Sequence, residues 1–258
     1  MVNFHIHTRC SDGVLSPEEL VKCIKKIGIE YFSITDHDTI DAYKKIKYNK
    51  LITGVELSSK YNLVTCHILG YDIDLETIDE FCKKLRRKRY EKGLKMLDVL
   101  KKLGYDINLD TENEIIGRRQ LANQLVDKGY YNTVDEALDS LFIKGKPCYI
   151  ELNYPTVSEC IDIIHKANGI AILAHPWTID LDINQLESFI KEYNFDGIEV
   201  YNHKIDKTLY QELNDLSDKL NIYKTCGTDY HGYGIYNDLL INEEIECSKF
   251  LNKVKRGK

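Results

Sequence analysis

Short apolar runs alternate with amphipathic stretches over most of the 258 residues. Residues 2–6 (Val-Asn-Phe-His-Ile) read as a strand, and so do 31–35, 50–57, 63–71, 170–174, 197–201 and 224–228. Apolar positions at three-to-four residue spacing predict helices over 17–27, 39–48, 156–167, 184–193 and 207–220. The first has clear punctuation: Ser16 as N-cap, Pro17 in the first turn, Glu19 at capping-box spacing and Gly28 at the end. Strand–helix alternation of this kind predicts an α/β fold of parallel β/α units.

Residues 76–150 break the alternation. They read as helical throughout, over 77–103, 118–128 and 134–141. The expected organisation is an α/β domain of residues 1–75 and 151–258, with 76–150 as an all-α insertion capping one face. On the long first helix Ile78, Phe81, Leu85, Leu97 and Leu100 form an apolar stripe. The same stripe carries Arg89 and Gly93, with Arg86 beside it. An arginine on an inward face is costly unless something pairs with it. A phosphate would serve, because guanidinium grips phosphate in a two-pronged way. The bland alternative is a solvated basic face along residues 83–92.

Composition narrows the class. The 43% hydrophobic content supplies one sizeable core with room for a small insertion. A formal net charge of -6 argues against a non-specific nucleic-acid coat protein, which would be basic. The eight cysteines include no CxxC pair. With no signal-peptide pattern before the first strand, they read as reduced buried thiols of a cytoplasmic protein. No run of 18 apolar residues occurs, so no membrane span is expected. Residues 253–258 read as a solvated tail, and His165 as a partner of its helix C-terminus or of solvent.

The chemistry lies in nine residues. His5 and His7 are at i and i+2 of a strand and therefore share a face. Asp12, His37, Glu56, His67, His175, Asp229 and His231 follow, each expected at or just past a strand's C-terminal end. In a β/α barrel that end is where sites are built. Six imidazoles and three carboxylates are too many for one ion and suit two or three divalent ions sharing a carboxylate. A nitrogen and oxygen set without thiolate fits Mn, Zn or Fe, and six imidazoles disfavour calcium. Clustered divalent metals hydrolyse phosphate esters by activating water and neutralising charge. Asp36 and Asp38 flank His37 as candidate orienting carboxylates.

His5-Ile6-His7, Thr35-Asp36-His37, Glu56, His67, Ala174-His175-Pro176 and Thr228-Asp229-Tyr230-His231-Gly232 occur in the order of one family. In these motifs the chain, from residue 1 to about 235, resembles the PHP (polymerase and histidinol phosphatase) family. It resembles most closely the subfamily acting on nucleoside 3′,5′-bisphosphates, some members of which are 5′–3′ exoribonucleases. The basic insertion helix, Gly117-Arg118 and Glu199-Val200-Tyr201 carry that narrower likeness.

The resemblance implies a distorted (β/α)7 barrel, its C-terminal face capped by the insertion, with a trinuclear site. One ion would take His5, His7, Glu56 and Asp229. A second would share Glu56 and add His67 and His175. A third would take Asp12, His37 and His231. One departure stands out: Gln120 occupies the place where the subfamily leads one to expect a histidine.

The expected activity is therefore removal of the 3′-phosphate from a nucleoside 3′,5′-bisphosphate, with 5′–3′ exonuclease action on short RNA beside it. Arg118, Arg89 and Arg86 are the candidate phosphate contacts, and His203 the candidate proton donor to the leaving group. Trp177 and Tyr201 offer faces for a base or for packing. The partners expected are a small phosphorylated substrate, nucleotide or short RNA, with no membrane and no obligate protein partner. Histidinol phosphate is the alternative substrate, and a non-catalytic metal-binding module the alternative of another kind.

Overall fold

The computed structural model describes residues 1–62, 64–108, 116–151, 153–203, 205–233, 237–241 and 245–255. The chain divides into two compact units, residues 1–82 with 154–258 and residues 83–153.

The larger unit is α/β. Its strands are β1 (Val2–Asn3), β2 (Tyr31–Ser33), β3 (Leu51–Ile52), β4 (Gly54–Tyr61), β5 (Val64–Tyr71), β6 (Ile170–Leu173), β7 (Gly197–Tyr201) and β8 (Tyr223–Cys226). They form two sheets, ordered β1-β2-β3 and β4-β5-β6-β7-β8. Backbone bonds link the sheets at both ends. Phe4 N–H donates to Cys226 C=O at 3.0 Å and His7 N–H to Tyr230 C=O at 2.8 Å. At the other end Asp38 N–H donates to Glu56 C=O at 2.9 Å.

The expectation of parallel units holds for β1-β2-β3 and β6-β7-β8 and fails in the middle. β5 runs antiparallel to both β4 and β6. The cause is the pairing of Tyr61 with Val64, which makes β4 and β5 a hairpin with no room for a crossover helix between them. The apolar run 50–57 is likewise not one strand. It breaks at Thr53 and divides between the sheets.

Among the described residues the α-helices of this unit, besides the start of α3 (Leu75–Lys102), are α1 (Pro17–Ile27), α2 (Asp41–Lys45), α6 (Val157–Lys166), α7 (Ile183–Tyr193), α8 (Lys207–Leu220) and α9 (Ser248–Lys255). Ser16 and Glu19 close the capping box on α1, and Gly28 ends it with φ of 80°. Thr156 with Glu159, and Asp182 with Gln185, cap α6 and α7 in the same way. The helix expected over 39–48 shrinks to the five residues of α2, whose N-cap Ile40 has an apolar side chain that makes no cap hydrogen bond. Residues 253–255 are not a free tail but the last turn of α9, which buries Phe250 and Val254. Phe250 packs edge-on against Phe4 and Tyr71, each at 5.1 Å between ring centroids, and Tyr71 Oη donates to Phe4 C=O. That aromatic group lies next to His5 in the chain.

The smaller unit is all-α. The long α3 (Leu75–Lys102) enters it, followed by α4 (Arg118–Asp127) and α5 (Val134–Leu141). Met96, Leu97, Leu100, Leu121, Leu125, Leu141 and Phe142 form its core. Of the apolar stripe expected on α3, Ile78, Leu85, Leu97 and Leu100 are buried, whereas Phe81 is half-buried and Cys82 and Met96 join instead. Gly93 is a contact point, since a Cβ there would sit 2.3 Å from Ile116 Cβ.

All eight cysteines are free thiols, and only Cys23 is not fully buried. Among the described residues no helix is long and apolar enough to cross a membrane.

Phe250→Ala should cost about 3–5 kcal/mol of stability, the usual range for emptying a buried aromatic site. Denaturant unfolding monitored by circular dichroism would check it, with an unchanged slope identifying a loss in the native state.

Candidate metal centre

All nine candidate ligands converge. His5 and His7 continue from β1, and residues 229–231 run beside them, joined by His7 N–H to Tyr230 C=O. The His5 and His7 Nε2 atoms therefore point the same way. They stand 3.3 and 3.2 Å from Glu56 Oε2, and 3.4 and 3.1 Å from Asp229 Oδ1. Glu56 Oε2 is also 3.0 Å from His37 Nδ1. Its other oxygen, Oε1, lies 2.9 Å from His67 Nδ1 and 3.0 Å from His175 Nε2. Asp12 sits at one side of the cluster, 3.3 Å from His231 Nε2 and 3.8 Å from His7 Nδ1.

Two ligands depart from the strand-end rule. Glu56 is the third residue of β4 and His67 the fourth of β5. They meet because the hairpin is antiparallel: Ser58 pairs with His67, so Glu56, two residues before Ser58, lies diagonally from His67 on the same face of the sheet.

The sequence around each ligand shows how it is held. Asp36, fully buried, accepts from Thr8 N–H at 2.7 Å, Thr8 Oγ1 at 2.6 Å and Ser11 Oγ at 2.6 Å. It thus fixes the loop that presents Asp12. Burial raises its pKa, against the pull of His7 and of these hydroxyl and amide donors. Asp38 accepts from Ser58 N–H at 2.8 Å, so it ties the His37 loop to β4. Both carboxylates position loops. His175 and Asp229 have backbone φ of 26° and 52°, in the left-handed region. Such strained ligand residues persist where the surroundings fix them.

Gly227 is required by the packing. A Cβ there would lie 2.1 Å from His5 Cβ and 2.7 Å from His5 N, so only glycine lets β8 pass His5 this closely.

The donor set fits divalent metal. His5 Nε2, His7 Nε2, Asp12 Oδ1 and Glu56 Oε2 are buried and satisfy no hydrogen-bond geometry, although the nearest partner atoms of opposite sign are close. Buried polar atoms are normally satisfied. Lone pairs aimed at shared points rather than at each other are what a cation needs. Among the described residues, ligand atoms within 4.8 Å of one another fall into three groups: His5, His7, Glu56 and Asp229; His7, Asp12, His37 and His231; and His37, Glu56 and His67.

Electrostatics agree. Burial opposes charge on His5 and His7, yet the neighbouring carboxylates prevail. His5 is raised well above the usual histidine range by Glu199, Glu56 and Asp229, and His7 to about 10 by Asp229 and Glu56. Burial likewise works against the charged forms of Glu56, Asp12 and Asp229. Surrounding imidazoles nonetheless hold all three carboxyls well below the ordinary carboxylate range. The site is built for carboxylate against positive charge.

The remaining candidates are not members of this nine-residue cluster. His203 follows β7 with its ring 6.3 Å from Tyr201. Among the described residues no hydrogen bond or ion pair joins it to the nine-residue cluster, and its buried Nε2 has no hydrogen-bond partner. His165 Nε2 pairs with Asp196 at 2.7 Å, in keeping with a role away from metal. Arg86, Arg89 and Arg118 belong to the helical unit. Arg86 and Arg89 lie on the half-buried side of α3, whereas Arg87 and Lys88 face solvent. Lys92 shares their side, and burial together with the charges of Arg118 and Arg89 depresses its pKa to about 8. Gln120, the residue in place of the expected histidine, accepts from Gly117 N–H through Oε1 at 2.6 Å and so closes the start of α4.

The PHP-domain model matches residues 3–226, nearly the whole of the strand framework. This chain belongs to the PHP family. It is accordingly a metal-dependent hydrolase of phosphate esters. It is 27% identical over 247 residues to the 5′-3′ exoribonuclease Rnm of Salmonella typhimurium, covering 89% of this chain and 84% of that one. It is 26% identical over 252 residues to the 3′,5′-nucleoside bisphosphate phosphatase of Chromobacterium violaceum, covering 90% and 88%. The fold matches a solved Chromobacterium violaceum protein, described as an amidohydrolase with bound sulfate and no metal. The TM-score is 0.90 at 23% identity, over 99% of this chain and 96% of that one.

Gly227→Ala should push His5 off its position. Expected are a stability loss of about 1–3 kcal/mol from overpacking and a weakened metal site. Thermal melts and Mn²⁺ titration of the purified variant would read the two effects separately.

Proposed function

We propose that this PHP-family enzyme removes the 3′-phosphate from nucleoside 3′,5′-bisphosphates and acts 5′–3′ on short RNA. The observation that carries it is Glu56, one buried carboxylate facing five imidazoles, whose Oε2 is unsatisfied together with the buried His5 Nε2, His7 Nε2 and Asp12 Oδ1. Two or three ions of Mn, Zn or Fe are proposed, held by the nine residues. His5, His7, Glu56 and Asp229 would hold one, Glu56 with His67 and His175 a second, and Asp12, His37 and His231 a third. The 3.4 Å between His67 Nδ1 and His175 Nε2 supports pairing these two on one ion. When bound, such ions supply water activated near neutral pH and Lewis-acid neutralisation of phosphate oxygens.

The protein's own groups would do the rest. Arg86, Arg89 and Arg118 are proposed to hold substrate phosphate, with 76–150 as the cap. Support comes from Lys92, whose pKa is depressed by burial first and then by the charges of Arg118 and Arg89, so that these basic groups lie near one another in the helical unit. A bisphosphate brings roughly twice the negative charge of a single phosphomonoester to these basic groups, which favours it over histidinol phosphate. His203, with a buried and unsatisfied Nε2, is the proposed proton donor to the leaving oxygen. A distorted (β/α)7 barrel is proposed for the strand framework, supported by the backbone bonds that join its two sheets at both ends. The names of the two enzymes above support the substrate class.

Phosphate release from adenosine 3′,5′-bisphosphate with Mn²⁺ is expected to exceed release from adenosine monophosphates and histidinol phosphate by at least tenfold in kcat/KM. Activity on histidinol phosphate alone would keep the metal chemistry and sink the substrate. Arg118→Ala should raise KM for the bisphosphate by about 10–100-fold, the loss of one charge-assisted contact, with a smaller effect on monophosphates. Equal losses on both substrates would remove Arg118 from phosphate recognition.

A further inference from the structure

Glu199 lies outside the nine-ligand cluster, yet it touches two of its members. It is fully buried at the centre of β7. Its Oε1 lies 3.0 Å from His5 Nδ1, and its Oε2 accepts from His175 N–H at 2.7 Å. The first residue comes from the β1 end of the chain and the second follows β6. A bulge in the pairing of β7 with β8 falls between Glu199 and Tyr201. Bulges re-aim side chains and gather near active sites.

We propose that Glu199 is a positioning residue that sets the tautomer of His5 and the backbone of His175 together. It rests on the metal-centre reading above. An imidazole that ligates through Nε2 must carry its remaining proton on Nδ1. A carboxylate at Nδ1 fixes that proton, orients the ring and makes Nε2 a stronger ligand. His5 Nε2 then faces Glu56 and Asp229 at 3.3 and 3.4 Å. The second oxygen acts on a residue with φ of 26°, a conformation that needs outside support. Holding His175 N–H supplies it and leaves His175 Nε2 3.0 Å from Glu56.

The pattern demands two acceptors. His5 Nδ1–H and the His175 amide are both donors, and a carboxylate accepts from both. A glutamine of the same shape offers one acceptor and one donor. In either orientation it meets a donor with its own NH₂. Facing His5, that NH₂ favours the tautomer whose proton sits on Nε2, which cannot ligate.

The test is Glu199→Gln beside Glu199→Asp, with Mn²⁺ affinity measured by chelator competition and Zn²⁺-loaded protein studied by ¹⁵N NMR of the histidine rings. In the parent, the His5 proton is expected on Nδ1. Glu199→Gln should weaken metal binding by about 10–100-fold, the usual loss when the partner of a ligand histidine is removed. Glu199→Asp keeps both acceptors and should recover part of that loss. Parent-like affinity in Glu199→Gln, or a parent His5 bearing its proton on Nε2, would overturn the proposal. The parent spectrum decides even if the variants fail to fold. Absence of metal binding in the parent itself would instead overturn the metal reading, and this one with it.

Discussion

Glu56 has no exposed surface, and its two oxygens face imidazoles supplied by the 5–7 segment, the loop after β2, β5 and the turn after β6. Burying an ionised carboxylate is expensive unless positive charge and hydrogen bonds compensate for it. Here the compensation is distributed over four parts of the chain, so each must arrive in register for the charge to be tolerable. The strands bring these groups together, and the shared carboxylate in turn penalises any arrangement that would separate them. Removing Glu56 would leave imidazoles facing one another, while removing one imidazole leaves four still in place.

Around this centre the carboxylates fall into distinct jobs. Glu56, Asp229 and Asp12 face the imidazoles directly. Asp36 and Asp38 spend their oxygens on hydroxyls and backbone amides and so hold the loops that carry Asp12 and His37. The difference follows from their neighbours. Imidazoles pull the first three below the ordinary range, whereas Asp36, deep among neutral donors, is pushed up by burial. Identical side chains thereby differ in what they can bind.

Much of this was legible in the sequence, for identifiable reasons. His5-Ile6-His7 fixed its own geometry through the period of a strand, and the caps of α1, α6 and α7 were written in Ser16, Thr156 and Asp182 with their partners three residues on. The antiparallel hairpin was not legible, because apolar runs such as 50–57 and 63–71 look alike in either direction. That hid why Glu56 and His67, which lie within strands, still reach the site. Glu199 appeared only as part of a shared motif; a buried acid in Gly-Ile-Glu-Val-Tyr is the signal that could have marked it, since an unpaired charge in an apolar strand needs a partner. Asp36 and Asp38 were noticed but could not be assigned, because their partners Thr8, Ser11 and Ser58 lie 20 to 28 residues away. Helix α9 went unread because its two buried residues, Phe250 and Val254, make too short a stripe.

The bonds from residues 3–7 to residues 226–230 shape the order of synthesis and folding. Asn3 Nδ2 donates to Thr228 Oγ1 across 225 residues, and His5 and His7 stay without Asp229 until that segment has left the ribosome. The β4–β5 hairpin, the pairing of β1 with β2 and the helical unit can form from earlier parts of the chain, whereas the ligand set closes only with residues 229–231. Contacts of such sequence separation slow folding. A ribosome stalled before residues 229–231 emerge therefore holds a chain without a complete ligand set, so metal cannot be fully enclosed by its ligands until that segment is free.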